Sequence, residues 1–447
     1  MQKNDIYTVT IDGMTDDGSG VGRIDGLAVF VPYTLVGETV SVKILKTQKR
    51  YAFAKVLEIL APSPMRIEPE CPHFYRCGGC QFFHCTYEEE LKYKQQQVCD
   101  ALTRIGNIDV AVRPIIGAPN THHYRNKAQF PVSESGIGFY SRRSHNIVDI
   151  DSCIIQNPAC DAIVRCVRDW MQTYDIAPYN ESRHSGSVRH IYTRTAAGTG
   201  EVLVCIVTRD ENIKYPELLV ESLLELDINI VGVVQNINPE PTNIILGGKN
   251  RILHGRDYIF DNIGDLTYKI SLYSFFQVNS AQTRALYDTA LAALDLSGNE
   301  TVWDLYSGIG TIGLHMARSA GRVIGVEIVS DAVRDARENA KLNDIDNAAF
   351  YEGSAEEVAP VLLKDGHKPD VIIVDPPRKG CDEALLRTIA EAKPEKLLYI
   401  SCKPSTLARD LAALKDMGFA PQFAQPVDMF PRTGHVETVV LLARADV

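Results

Sequence analysis

The chain has 447 residues, 45% of them hydrophobic and 23% charged, which is too long for one ordinary core and ordinary for a soluble globular protein of two or three domains. Its net charge of −11 speaks against a general polyanion binder, so any nucleic-acid contact needs local basic patches. Eleven cysteines, an odd number in a long chain, argue against a disulfide framework and for metal binding or catalysis; no apolar stretch is long enough to span a bilayer and the opening MQKNDIYTVT does not read as a signal peptide, so a cytoplasmic location is expected.

Residues 5 to 60 read as short strands of period two, YTVTIDGM, GLAVFVP, ETVSVKILKT and YAFAKVLEIL, punctuated by Gly18, Gly20, Gly22 and Gly26. Such strands suit a small barrel of the oligonucleotide-binding type over residues 1–60. Lys43, Lys46, Lys49, Arg50 and Lys55 lie on its last two strands, with Tyr51 and Phe53 among them. That is either a solvated strand face or a single-stranded nucleic-acid surface. APSPMRIEPE, residues 61–70, is a proline-rich linker. A cysteine cluster follows, and then EEELKYKQQQVCDALTRIG, an amphipathic helix expected near 88–106 that could pack on the last domain. Residues up to 270 mix strands and helices as a central α+β domain, 61–270, in which Arg125, Lys127, Arg142, Arg143, Arg183, Arg189 and Arg194 lie near aromatics as candidate RNA contacts. From 271 to 447 short strands alternate with helices: TVWDLY, RVIGVEI, DVIIVDPP, KLLYISC. That alternation predicts a parallel, doubly wound, Rossmann-like α/β domain.

Chemistry gathers at the strand ends of this last domain. TVWDLYSGIGTIG places Gly308, Gly310 and Gly313 in G-x-G-x-x-G spacing between a strand and a helix, and Glu327 ends the next strand, where a carboxylate can bind both ribose hydroxyls. A nucleoside cofactor is therefore expected. Asp304 opens the loop; it would repel a pyrophosphate and tolerate a sulfonium, which favours S-adenosylmethionine over NAD. Asp375 ends DVIIVD and points to the same crevice. Cys402 stands at the exit of KLLYISC, before Lys403 and Pro404, where a cysteine is either an inert buried thiol or a nucleophile. Cys381, after a Lys-Gly pair, competes with it. Glu437, before a β-branched run, is a candidate general base.

Together SCKP around Cys402, GHVE around Glu437, DPPRKG after Asp375 and FFQVN at 275–279 resemble the RNA uracil-5-methyltransferases, over nearly the whole chain, and the N-terminal barrel resembles a TRAM domain. The resemblance implies that Cys402 attacks carbon 6 of uracil, that carbon 5 then takes a methyl group from S-adenosylmethionine, and that Glu437 removes the carbon-5 proton. It also assigns Gln277, Tyr306, Glu327 and Asp375 to the cofactor pocket or its edge. A target in folded RNA would be flipped out. Cys71, Cys77 and Cys80 stand in C-x5-C-x2-C spacing, with Cys153 far downstream. By spacing, four such thiolates suit zinc or an iron–sulfur cluster equally, and Cys85, close in sequence, is a weaker fourth-ligand candidate that no family position supports; the resemblance to the ribosomal-RNA branch implies a [4Fe-4S] cluster on Cys71, Cys77, Cys80 and Cys153. The same branch implies 23S rRNA as substrate, in the style of the Gram-positive enzymes that serve two sites, and a monomer. The competing readings are a tRNA uracil-5 methyltransferase, a non-catalytic RNA- or cofactor-binding protein, and an NAD-dependent oxidoreductase with an iron–sulfur centre.

Overall fold

In the strand Thr39–Thr47, Val40, Val42 and Ile44 are buried while the residues between them are not. This alternation rolls the first strands around an apolar centre of Val9, Val29, Val31, Val42 and Ala52. In the computed structural model, which describes residues 1–444, they close into a barrel in the order Ile6–Met14, Ser19–Ile24, Leu27–Pro32, Tyr51–Ala61, Thr39–Thr47. Leu27–Pro32 and Tyr51–Ala61 pair in parallel; the other neighbours are antiparallel.

A seven-stranded sheet follows, in the order Lys249–Gly255, Ile230–Ile237, Val202–Thr208, Val188–Thr195, Lys127–Ser133, Gly136–Tyr140, Ile147–Asp149. Its strand Val202–Thr208 is buried throughout because both faces are covered. Val202, Val204 and Ile206 meet Ile163 and Val167 of the helix Pro158–Thr173 and Leu219 of the helix Pro216–Leu224. Leu203, Cys205 and Val207 face the other way, into a core shared with Leu286 and Ala290 of the helix Ser280–Leu294. A continuous apolar run, not an alternating one, is what a strand covered on both faces requires.

The second seven-stranded sheet has the order Ala348–Glu352, Arg322–Glu327, Thr301–Leu305, Val371–Val374, Lys396–Ser401, Glu437–Arg444, Phe419–Val427. The first five strands are parallel, and the last two complete the sheet in antiparallel pairing. The chain runs outward from Thr301–Leu305 to one edge and then crosses to Val371–Val374 on the other side. That reversal opens a crevice at the carboxyl ends of the strands, where ligands of doubly wound sheets bind.

Earlier segments are built onto this sheet. The helix Tyr87–Arg104 starts at Thr86, whose side chain accepts from the Glu89 amide, and carries Glu88, Glu89 and Glu90 in its first turn, where carboxylates oppose the helix dipole. Its Val98, Ala101 and Leu102 pack with Leu407, Ala408 and Leu411 of the helix Pro404–Asp416. The chain beyond it lies along Phe419–Val427, with Arg113 N donating to the Ala424 carbonyl (2.9 Å) and Ile116 N to that of Pro426 (3.0 Å). The hairpin of Tyr258–Ile263 and Leu266–Ser271 donates from its Thr267 and Lys269 amides to Asn343 and Asn339 at the end of the helix Ser330–Leu342 (2.8 and 2.7 Å). Among the described residues no helix is long and apolar enough to cross a membrane.

Candidate active site

Strand pairing sets the centre of the site. Lys396–Ser401 and Glu437–Arg444 run antiparallel with Ser401 opposite Thr438, so the pair one step beyond the ladder is Cys402 and Glu437. Two residues far apart in sequence are thereby brought side by side at a sheet edge. The chain leaves the strand sharply: the Lys403 amide donates to Ser401 Oγ (3.1 Å), and Pro404 starts the next helix, a position that needs no N–H donor. Asp375 follows Val371–Val374, which is the parallel neighbour of the cysteine's strand.

These ends open into a cavity of about 880 Å³, ample for a nucleoside-sized ligand. Cys402, Glu437, Asp375 and Arg378 line one part of it, and Gln277, Tyr306, Gly308 and Glu327 another. Cys71, Cys77, Cys80 and Cys153 line a further wall. Cys381 does not: it is buried in the core, where its amide donates to Asp410 (2.9 Å). It does not share the cavity with Cys402.

The electrostatics of the centre are those of carboxyls held out of water. Glu437 is 3% exposed and its Oε2 is buried without a hydrogen-bond partner. Burial and then the nearby Asp375 push its carboxyl well above the usual range, and Arg378 pulls the other way. Burial also pushes Asp375 up, to about 7. The Cys402 thiol is pushed up to about 11, by burial first and then by Glu437 and Asp375, with Arg378 opposing. Arg378 was not singled out from the sequence, although it sits inside DPPRKG; a cation just after an acid at a strand end was the available signal. Its Nη2 lies 3.1 Å from His435 Nε2. A guanidinium can only donate, so that ring nitrogen accepts and carries no proton. Lys403, the residue after the thiol, is paired with Asp16 of the barrel (2.6 Å).

The cofactor residues divide into a lining and a support. Gly308 has φ 55°, and a Cβ there would meet only open space, so its backbone faces the cavity directly. Its amide donates to Glu327 Oε2 (3.0 Å), while the Val329 amide donates to Oε1 (2.8 Å). Tyr306 takes a left-handed φ of 72°, which a bulky side chain adopts only under local constraint, and its hydroxyl donates to Glu356 (2.8 Å). Asp304 and Gly310 do not line the cavity. Asp304 lies beneath the loop, fully buried, with Oδ2 accepting from the Gly313 amide (2.8 Å) and Oδ1 unpartnered. Burial raises its carboxyl to about 7. The reason given for it in the sequence, a charge facing the ligand, is replaced by a role in holding the glycine loop. Gly310 also faces inward: a Cβ there would stand 2.8 Å from the Phe350 ring.

None of the eleven cysteines is in a disulfide. Burial raises the Cys80 thiol well above its ordinary value, and Cys153, Cys77 and Cys71 add to the shift in that order, which marks the four as electrostatic neighbours. Among the described residues no three His, Cys, Asp or Glu side chains converge closely enough to hold one metal ion. Cys85 stands apart, buried against Leu35 and Phe82, with its thiol donating to the Phe82 carbonyl (3.3 Å). Arg125 shares the cavity with the four cysteines and has a buried Nε without a partner.

Comparison with known proteins agrees with this geometry. The family described as tRNA (Uracil-5-)-methyltransferase matches residues 243–445, and the TRAM domain matches residues 2–57. An uncharacterized RNA methyltransferase of Halalkalibacterium halodurans is 48% identical over 99% of this chain and 98% of its own length. One from Clostridium tetani is 44% identical over 99% and 97%. Among solved structures, the Pyrococcus abyssi tRNA (uracil-54, C5)-methyltransferase in complex with S-adenosyl-L-homocysteine superposes with a TM-score of 0.80 at 28% identity, covering 98% of this chain and all of that one.

Proposed function

Because the chain belongs to the RNA uracil-5-methyltransferase family in its TRAM-bearing form, we propose that it methylates carbon 5 of uracil in 23S ribosomal RNA, with S-adenosylmethionine as the methyl-donating substrate. The observation that carries the reading is the register of two strands, Ser401 against Thr438, which sets a thiol beside a buried, unpartnered carboxyl in one cavity.

The residues then have distinct tasks. Carbon 5 of uracil is a weak nucleophile, and the Cys402 sulfur overcomes this by bonding to carbon 6, which pushes electron density onto carbon 5 and the carbonyl oxygen as an enolate. Arg378, the cation that acts on both Cys402 and Glu437, favours the thiolate over the thiol. Carbon 5 takes the methyl group as the donor's sulfur–methyl bond breaks and S-adenosylhomocysteine leaves; Glu437 then takes the carbon-5 proton, the bond between carbon 6 and sulfur breaks, and Cys402 leaves as a thiolate. Burial and Asp375 favour the neutral carboxyl, and Arg378 favours the carboxylate that accepts the proton. Gly308, Glu327, Tyr306 and Gln277 hold the donor, with Glu327 at the ribose.

The four cysteine thiols gather on one wall without converging on a point. A zinc ion requires four ligands around a single centre; a [4Fe-4S] cluster spreads its thiolates over a larger body, and we assign Cys71, Cys77, Cys80 and Cys153 to such a cluster. When bound it would tie the stretch 71–80 to Cys153, and the methyl transfer draws no electrons from it.

The tRNA reading is favoured by the description of the matched family, tRNA (Uracil-5-)-methyltransferase, and by a solved structure. A chain of this whole architecture serves as a tRNA enzyme in Pyrococcus abyssi, so the barrel alone does not select ribosomal RNA. Methyl transfer to transcripts of 23S rRNA and of tRNA, mapped by mass spectrometry, tests the choice. Methylation of 23S rRNA alone is expected, and methylation of tRNA alone would replace the substrate. In the same assay Cys402→Ala should abolish transfer while S-adenosylmethionine affinity by calorimetry is retained. Full activity in that variant would remove the proposed nucleophile.

A further inference from the structure

The outward face of the barrel carries three aromatic rings in one patch. In Leu27–Pro32, Val29 and Val31 point inward, and in Tyr51–Ala61, Ala52 and Ala54 do. Phe30, Tyr51 and Phe53 therefore point outward. The parallel register places Phe30 beside Phe53 and Ala28 beside Tyr51, and the three ring centroids lie 5.4 to 5.7 Å from one another. Tyr51 is 38% exposed. Phe30 and Phe53 beside it are half-buried, so the three rings present one continuous aromatic surface.

Its surroundings are basic in a chain whose net charge is −11. Lys46 is opposite Phe53 in the ladder, Lys49 and Arg50 form the turn into Tyr51, and Lys55 follows on the same strand; all four side chains are exposed, and none makes an ion pair among the described residues. Lys43 and Lys55 stand directly opposite each other, a like-charge pairing that weakens a sheet unless an anion covers it. The Arg143 guanidinium lies over the Phe53 ring, 5.2 Å from its centroid, and reaches Asp17 at 3.0 Å. The adjoining Asp16 pairs with Lys403, next to Cys402. The patch thus reaches, through Arg143, Asp17 and the adjoining Asp16, the residue that follows Cys402 in the chain.

We propose that Phe30, Tyr51 and Phe53 are a stacking platform for unpaired RNA bases near the target uridine, with Lys46, Lys49, Arg50 and Lys55 holding the accompanying phosphates. Rings give sequence-tolerant affinity because every base has a π-face, and the cations supply the salt-dependent part. The platform deepens the reading above and rests on it only in taking RNA as the substrate.

Fluorescence anisotropy of the full-length protein with a labelled oligoadenylate of about ten residues tests this, a length in the range one small barrel covers. Oligoadenylate has no uracil, so its binding does not depend on the cysteine chemistry. The double variant Tyr51→Ala, Phe53→Ala should bind about tenfold or more weakly with an unchanged salt slope, and Tyr51→Phe should bind as the parent does. Tyr51→Leu, which keeps apolar cover on the barrel, should bind weakly while melting as the parent does. Lys46→Ser with Arg50→Ser should flatten the salt slope. Equal affinity in parent and double variant would overturn the platform. So would a Tyr51→Phe loss as large as that of Tyr51→Ala, which would assign a hydroxyl contact. Failure of the parent to bind, or loss of self-association alone in the double variant, would give the rings to another role and equally overturn it. A parent that binds oligoadenylate yet methylates no RNA would overturn the proposed reaction and leave the platform standing.

Discussion

Cys402 is surrounded by groups that oppose its ionisation, and one that favours it. Burial, Glu437 and Asp375 hold the thiol up near 11, while Arg378 pulls it down. Removing that cation moves the thiol further up, so at pH 8 a smaller fraction is thiolate. Arg378→Met should therefore slow carboxamidomethylation of the Cys402 peptide by iodoacetamide several-fold at pH 8, followed by mass spectrometry, while both proteins react faster as pH rises. An unchanged rate would show that Arg378 does not act on the thiol. At this scale much of the site was legible. A cysteine and a glutamate at the ends of apolar runs were visible as residues, because a polar group at the exit of a buried strand requires a reason. Their adjacency was not, since it depends on a register between strands separated by a helix and a further strand. Asp304 was misjudged for a related reason: the motif locates an acid at the loop but not whether its carboxylate faces the ligand or the backbone beneath.

The helix Tyr87–Arg104 shows how an element can conceal its role. Glu90 and Lys94 stand four apart, a spacing that commonly carries ion pairs on exposed helix faces, yet they are 0% and 1% exposed. Lys94 Nζ reaches Glu90 and Asp428, each at 2.7 Å, and the Phe430 carbonyl at 3.0 Å. Tyr87 donates to Asp428 (2.7 Å), and Glu90 accepts from the Arg432 amide (2.7 Å). This buried network clamps the loop that leads to Glu437. Lys94→Met would leave Asp428 buried without its cation and Glu90 with only Arg432 at 3.6 Å, so it should destabilise the fold by about 3–5 kcal/mol, read as a lower urea midpoint with unchanged slope. A change near zero would show that the clamp carries no load. No local pattern could reveal the burial, because Asp428 and Arg432 come from the far end of the chain. Gly310→Ala tests another element: with φ 81° and the Phe350 ring 2.8 Å from the added carbon, it should weaken S-adenosylmethionine binding about tenfold or more by displacing the glycine loop, and unaltered affinity would remove that constraint.

Across the molecule, the barrel is docked rather than tethered. Asp17 receives Arg142 (2.9 Å) and Arg143 (3.0 Å), and Asp16 receives Lys403. Burial works against the Asp17 carboxylate, but its bonds from Thr15, Ser19 and Arg142 prevail and lower it to about 2 from an ordinary 3.8. A carboxyl lowered on folding adds stability above its unfolded value and loses it as pH falls through the folded one. Docking should therefore weaken between about pH 4 and pH 2. Asp16→Asn with Asp17→Asn should loosen the barrel already at pH 7, seen as a larger radius of gyration in small-angle scattering; an unchanged radius would mean that other contacts hold it. Barrel, mixed region and doubly wound sheet were each readable from periodicity. Of their intergrowth, only the docking of the helix near 88–106 on the last domain was expected; that of the hairpin was not. The helix before residue 105 and the hairpin before residue 272 pack on the last sheet, contacts set by faces that meet only when the whole chain is folded.

The most direct test of the account uses Glu437→Gln. With its base removed, the enzyme should complete the attack and the methyl transfer but fail to release the product. Incubated with S-adenosylmethionine and substrate RNA, digested with nuclease and protease and weighed by mass spectrometry, it should yield a peptide containing Cys402 that carries a methylated uridine. A variant that turns over at the parent rate, or an adduct on any cysteine other than Cys402, would contradict the account.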